Sequence, residues 1–110
     1  MTVLNPSAGY RTLINTFTVE PERAEELLAL LSEATQTIRR MPGFVSANLH
    51  VSLDRRYVAN YAQWRSQEDF EAMLKHPDAQ PHLREAAAIA SSFTPILYDL
   101  RETHSVEGAA

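Results

Sequence analysis

The run Asn60-Tyr61-Ala62-Gln63-Trp64 holds the residues best suited to chemistry in this chain. In an extended strand, alternate side chains share a face, so Asn60, Ala62 and Trp64 point one way while Tyr61 and Gln63 point the other. A second asparagine, Asn15, sits in the first extended run and shares its face with Leu13 and Phe17. If both faces look toward the core, two amides and an indole stand in an otherwise apolar layer. Burying an amide without partners costs about 1–3 kcal/mol, so such residues ask for a ligand or an ordered water. The alternative is structural: both asparagines could bond neighbouring backbone, and Trp64 could be ordinary core. Spacing alone leaves the two readings open.

Other chemistries find little support. The four histidines include no pair at helical metal-binding spacing, since Pro77 separates His76 from His82, His50 lies in a strand and His104 in the last residues. No metal site is therefore expected. Cysteine is absent, which removes disulfides, thiolate metal sites and a thiol nucleophile. Three glycines leave little room for a phosphate loop or a dinucleotide fingerprint. No serine sits in a nucleophile elbow. The carboxylates between Glu20 and Glu33 read as a solvated helix face. His82 with Arg84 could face a pocket from a helix, or simply mark a solvated helix start.

The elements that position these residues follow from periodicity. Residues 10–19 alternate as a strand rich in β-branched and aromatic types. After Pro21, Ala24, Leu27, Leu28, Leu31, Ala34 and Ile38 recur at helical spacing, and acidic residues open this helix while arginines end it. Pro42-Gly43 stops it. Phe44 to Leu53 alternates again, Asp54-Arg55-Arg56 reverses the chain, and Tyr57 to Trp64 returns as a partner strand. Ser66 with Asp69 resembles a capping box opening a helix that contains Phe70, Met73 and Leu74. Pro77 breaks that helix, and Asp78 is expected to cap a second helical piece. Phe93 to Leu100 supplies a last strand, with Pro95 suggesting a sheet edge.

The order β-α-β-β-α-β predicts an α+β, ferredoxin-like protomer: a four-stranded antiparallel sheet with helices on one face. The other face is then bare. It is expected to carry Ile14, Val45, Leu49, Val51, Tyr57, Tyr61 and Ile96 or Tyr98, too apolar for open water, so a second copy packed face to face is predicted. The 110 residues fit one domain over 10–102, with loose tails over 1–9 and 103–110. An apolar share of 45% supports a real core. The net charge of −4 argues against a nucleic-acid partner. No apolar run suggests a leader or a membrane span, and a cytoplasmic location is expected.

With Pro42-Gly43-Phe44 upstream and His76-Pro77 downstream of the Asn60-to-Trp64 strand, the chain resembles the antibiotic-biosynthesis monooxygenases from about Tyr10 to Arg101. The resemblance implies a dimeric α/β barrel that oxidises quinol- or anthrone-type aromatics with molecular oxygen to quinones, using no flavin, metal or haem. It places catalytic roles on Asn60, Trp64 and Arg84, and substrate contacts on Asn15, Phe70, Met73 and His82. A tyrosine that donates a proton in some relatives falls on Phe70 here, leaving His82 or a bound water for that task. Two rivals remain. A haem-binding or haem-degrading member of the same superfamily would use Asn15 and His82, but Met73 stands where its tryptophan is needed. A non-catalytic ligand-binding dimer would share the shape alone.

Overall fold

The computed structural model describes residues 1–106. Its elements run β1 (Arg11–Thr18), α1 (Ala24–Ile38), β2 (Phe44–Val51), β3 (Tyr57–Trp64), α2 (Gln67–Lys75), α3 (Gln80–Ile89) and β4 (Ser92–Asp99). The four strands form one antiparallel sheet in the order β2-β3-β1-β4. Each βαβ crossover therefore skips one strand, which is the ferredoxin-like arrangement expected from the sequence. β4 lies at the sheet edge, where Pro95 needs no ladder donor. The expected C-terminal tail over 103–110 falls partly on residues 107–110, which lie outside the described residues. At the other end, Asn48 donates to the Thr2 hydroxyl (2.7 Å) and Gln63 to the Val3 carbonyl (2.9 Å). These bonds lay the first residues across the outer face of β2 and β3.

Local chemistry explains the joints. Ser66 caps α2 by accepting from the Asp69 backbone N–H at 3.1 Å, and its hydroxyl donates to Asp69 Oδ2 at 3.0 Å. The Pro42-Gly43-Phe44 turn docks on that cap. Gly43 takes φ +85°, and a Cβ there would lie 2.3 Å from Asp69 Cβ, so only glycine fits. The Gly43 carbonyl accepts from Arg65 N–H at 2.8 Å, which ties the turn to the end of β3. In the β2–β3 reversal, Arg55 takes the left-handed conformation (φ 63°) that glycine usually fills. Asp54 supports this reversal by accepting from the Ser52 hydroxyl (2.7 Å) and Arg56 N–H (3.0 Å).

Two expectations need correction. Asp78 does not cap α3: the N-cap position is Ala79, without a side-chain bond, and the Asp78 backbone N–H donates to His76 Nδ1 at 3.0 Å. The second concerns the sheet faces. The β2–β3 register steps from Phe44↔Trp64 to Ser46↔Gln63, leaving Val45 as an unpaired bulge. Beyond it Ala47, Leu49 and Val51 pair with Ala62, Asn60 and Val58 and face the helices, so Leu49 and Val51 are absent from the outer face. Ser46, Asn48 and His50 take the outer positions on β2. The outer face is consequently mixed, with its apolar part concentrated in Ile14, Tyr57, Tyr61, Ile96 and Tyr98.

The core under the helices is split in two. Phe17, Val19, Leu27, Val58 and Ala86 form one buried cluster, and Leu13, Ala62, Trp64, Phe70 and Met73 form the other. Along β1 the division falls between Leu13 and Phe17, and along β3 between Val58 and Ala62. Asn15 and Asn60 occupy those two dividing positions.

Candidate active site

Asn15 and Asn60 are directly opposite each other in the β1–β3 ladder. Their flanking residues alternate with period two, which sends Leu13, Asn15 and Phe17 to the same face as Val58, Asn60, Ala62 and Trp64. The two amides therefore emerge side by side toward the helices. The Oδ1 atoms of both are buried and have no hydrogen-bond partner among the described residues. Each such orphan costs about 1–3 kcal/mol. The neighbouring-backbone reading, left open by the sequence, has no bond to either oxygen to rest on.

The amides open into a cavity of about 300 Å³ lying between the sheet and the three helices. Its walls are mainly apolar: Leu13, Ala62, Phe44 and Leu49 from the sheet, Leu31 and Ile38 from α1, Leu83 and Ala86 from α3. A volume at the lower end of small-molecule pockets, with few polar groups, is the form that a ligand site takes. Thr35 also lines it, but its hydroxyl donates to the Leu31 carbonyl at 2.7 Å within its own helix.

Trp64 lines the cavity and is 1% exposed. Phe44 meets it edge-on at 5.5 Å and 85°, and Phe70 at 6.1 Å and 68°. Edge-to-face contacts of this kind fix the ring plane. The Pro42-Gly43-Phe44 turn matters here because it delivers Phe44 to the indole, while the Ser66 cap begins the helix that delivers Phe70.

Six of the seven residues singled out from the sequence, Asn15, Asn60, Trp64, Phe70, Met73 and His82, line this one cavity. Arg84 does not. It is exposed, and His82, Leu83, Ala86 and Ala87 are the α3 residues that line the cavity. Two positions along a helix rotate a side chain by about 200°, so Arg84 and His82 cannot share a face. The residues that sequence reasoning missed include walls from α1, β2, α3 and β4, among them Thr35, Leu49, Ala86, Phe93 and Pro95. Helical spacing marked Leu31, Ala34 and Ile38 as an inward stripe, but nothing in that spacing distinguishes a cavity wall from solid core.

Among the described residues, the cavity walls carry no carboxylate, lysine or arginine. The shifted carboxyls sit on the surface: Glu26 is lowered by a hydrogen bond from Arg23, and Asp54 by the Ser52 hydroxyl and then the Arg56 N–H. No group of three or more His, Asp or Glu residues suited to a metal ion occurs among the described residues. No described helix is long and apolar enough to cross a membrane.

Comparison with known proteins gives the family. The family model for antibiotic biosynthesis monooxygenase matches residues 11–88. The tetracenomycin-F1 monooxygenase of Streptomyces glaucescens is 51% identical over 83 residues, covering 74% of this chain and 74% of that protein. Among solved structures, SnoaB, a cofactor-independent oxygenase from Streptomyces nogalater, superposes with a TM-score of 0.79 at 26% identity, covering 86% of this chain and 96% of that one. The ActVA-Orf6 monooxygenase of Streptomyces coelicolor, solved in complex with nanaomycin D, gives a TM-score of 0.78 at 26% identity, covering 92% and 96%. The match spans every cavity-lining element but β4, and on it the chain belongs to the antibiotic biosynthesis monooxygenase family and is an oxygenase.

Proposed function

We propose that this oxygenase works without a cofactor and converts an electron-rich aromatic of the quinol or anthrone type to a quinone with molecular oxygen. The observation that carries the reading is the pair of opposed amides, Asn15 and Asn60, whose buried oxygens lack partners in an otherwise apolar cavity. A polycyclic phenol offers what such a site lacks. Its flat rings fill the apolar volume, its hydroxyl hydrogens satisfy the amide oxygens, and its oxygens accept from the amide N–H groups. The names of the relatives, a tetracenomycin-F1 monooxygenase and a cofactor-independent oxygenase, support the same class of chemistry.

The physics of the reaction suits the cavity. A phenol reduces oxygen readily only as its phenolate, so the site must favour that anion. Preorganised amide donors in a dry, apolar surround stabilise developing charge far better than the same groups in water. Trp64, fixed by Phe44 and Phe70, supplies a flat wall for stacking and an indole N–H. Phe70 has no proton to give. Its role is to shape the pocket and brace the indole.

The working unit in this reading is a homodimer. Tyr57, Ile96 and Tyr98 are 47%, 44% and 44% exposed on the outer sheet face, where a second copy packed face to face would cover them. Oxygen uptake by chelator-treated, dialysed protein mixed with a panel of anthrones tests the activity. Uptake above the spontaneous rate with no additive supports the proposal; dependence on added flavin, iron or haem overturns it.

A further inference from the structure

The relation of the four histidines to the cavity differs sharply. His50 Nδ1 contacts the Asn48 carbonyl, His76 Nδ1 accepts from Asp78 N–H, and His104 pairs with Glu102. None of those three lines the cavity. His82 does, and among the described residues the histidine rings that form hydrogen bonds are those of His50, His76 and His104, not that of His82. It is also the only titratable side chain among the described residues that form the walls. Everything facing it across the cavity, from β1, β2, β3, β4, α1 and α2, is uncharged. On its own helix Arg84 and Glu85 are exposed and outside the walls, and the preceding turn holds His76 and Asp78 paired with each other. His82 itself is half-buried, placed between the amide pair's cavity and solvent.

From this placement we infer that His82 is the catalytic base that takes the substrate's hydroxyl proton and carries it to the oxygen adduct. The inference rests on the oxygenase reading of the cavity and names the group that starts the reaction. Ionising a phenol inside an apolar pocket requires an acceptor for the proton, and the amides, the indole and the phenyl rings cannot accept it. In the first step the substrate O–H bond breaks, its electron pair stays on oxygen, and the proton binds an imidazole nitrogen. The ring carbon opposite the phenolate then gives two electrons to dioxygen and forms a C–O bond. The terminal peroxide oxygen takes the proton from the imidazolium, which restores neutral His82. Loss of the remaining C–H proton turns that bonding pair into a C=O bond, breaks the O–O bond and expels hydroxide, and proton and hydroxide leave as water. In sum, a methylene carbon and dioxygen become a carbonyl and water.

The test separates this role from the activity itself by using a dye in the absence of oxygen. Alizarin is a dihydroxyanthraquinone whose phenol and phenolate forms differ in colour. Bound to the parent chain, it should show phenolate absorption at a pH where alizarin bound to His82→Gln is still phenol. The midpoint in the variant should lie higher by about one unit or more, the usual effect of losing a charged partner. With an anthrone in air, His82→Gln should lose about a hundredfold to ten-thousandfold in kcat, the range for removing a general base. The acid limb of its pH profile should vanish, and added imidazole should restore part of the rate to His82→Ala. Equal dye midpoints in parent and His82→Gln, both binding alizarin, overturn the role of His82 and leave the cavity reading standing. A parent chain that binds no alizarin and turns over no anthrone overturns both.

Discussion

Replacing Asn60 by leucine should make the protein more stable and less active, a combination that a purely structural asparagine cannot give. The side chains are close in size and shape, so the change removes a polar group without opening a cavity. Asn60 Oδ1 is buried with no partner, on a central strand whose neighbours Leu49 and Ala62 are apolar. An orphaned acceptor of this kind costs about 1–3 kcal/mol, and an apolar replacement of the same shape recovers part of it. A recovery of about 1 kcal/mol raises the melting temperature of a domain this size by about 4–8 °C. The asparagine-to-leucine change also favours a strand conformation. Turnover should move the other way, falling about a hundredfold to a thousandfold, as when one preorganised donor to an oxyanion is lost. Thermal melting by circular dichroism and oxygen uptake with an anthrone, run on parent and variant together, read both quantities. A lower melting temperature with unchanged activity per folded molecule would refute the reasoning, because it would mean that Asn60 satisfies a structural partner.

Two further outcomes follow from the same geometry. Trp64→Phe should lower turnover less than Asn60→Leu, since phenylalanine keeps part of the stacking wall, but it should also cost stability, because the indole braces Phe44 and Phe70; turnover unaltered beside a lowered melting temperature would make Trp64 core alone. Tyr61→Asp, on the outer face between Ile14 and Asn48, should dissociate or unfold the dimer by burying an unpaired charge, and sedimentation of the parent as a stable monomer at micromolar concentration would contradict the pairing.

Much of the fold was legible because it rests on two periodicities. Alternation fixed the strands, the α1 stripe fixed the first long helix, and their order left few topologies to choose from. Asn15 and Asn60 stand out as candidates through residue type and strand alternation, since amides are uncommon on a core-facing strand, and the family resemblance gives them their roles. Their direct opposition was not legible, because it depends on the β1–β3 register, which pairing sets and neither strand encodes by itself. The faces of β2 were misread for a related reason. One unpaired residue, Val45, lets Phe44 share a face with Ala47, and no local pattern announces a bulge. Arg84 followed from the family resemblance, yet the helical phase that turns His82 and Leu83 inward carries Arg84 out to solvent.

The most direct measurement of the central claim is isotopic. Protein stripped by chelator and dialysis is mixed with an anthrone under ¹⁸O₂, and the quinone is analysed by mass spectrometry against an enzyme-free control. Cofactor-free monooxygenation predicts one ¹⁸O atom in the new carbonyl and the other in water, formed faster than in the control and at a rate indifferent to added flavin or iron. Quinone formed no faster than in the control, or only after a cofactor is restored, would contradict it.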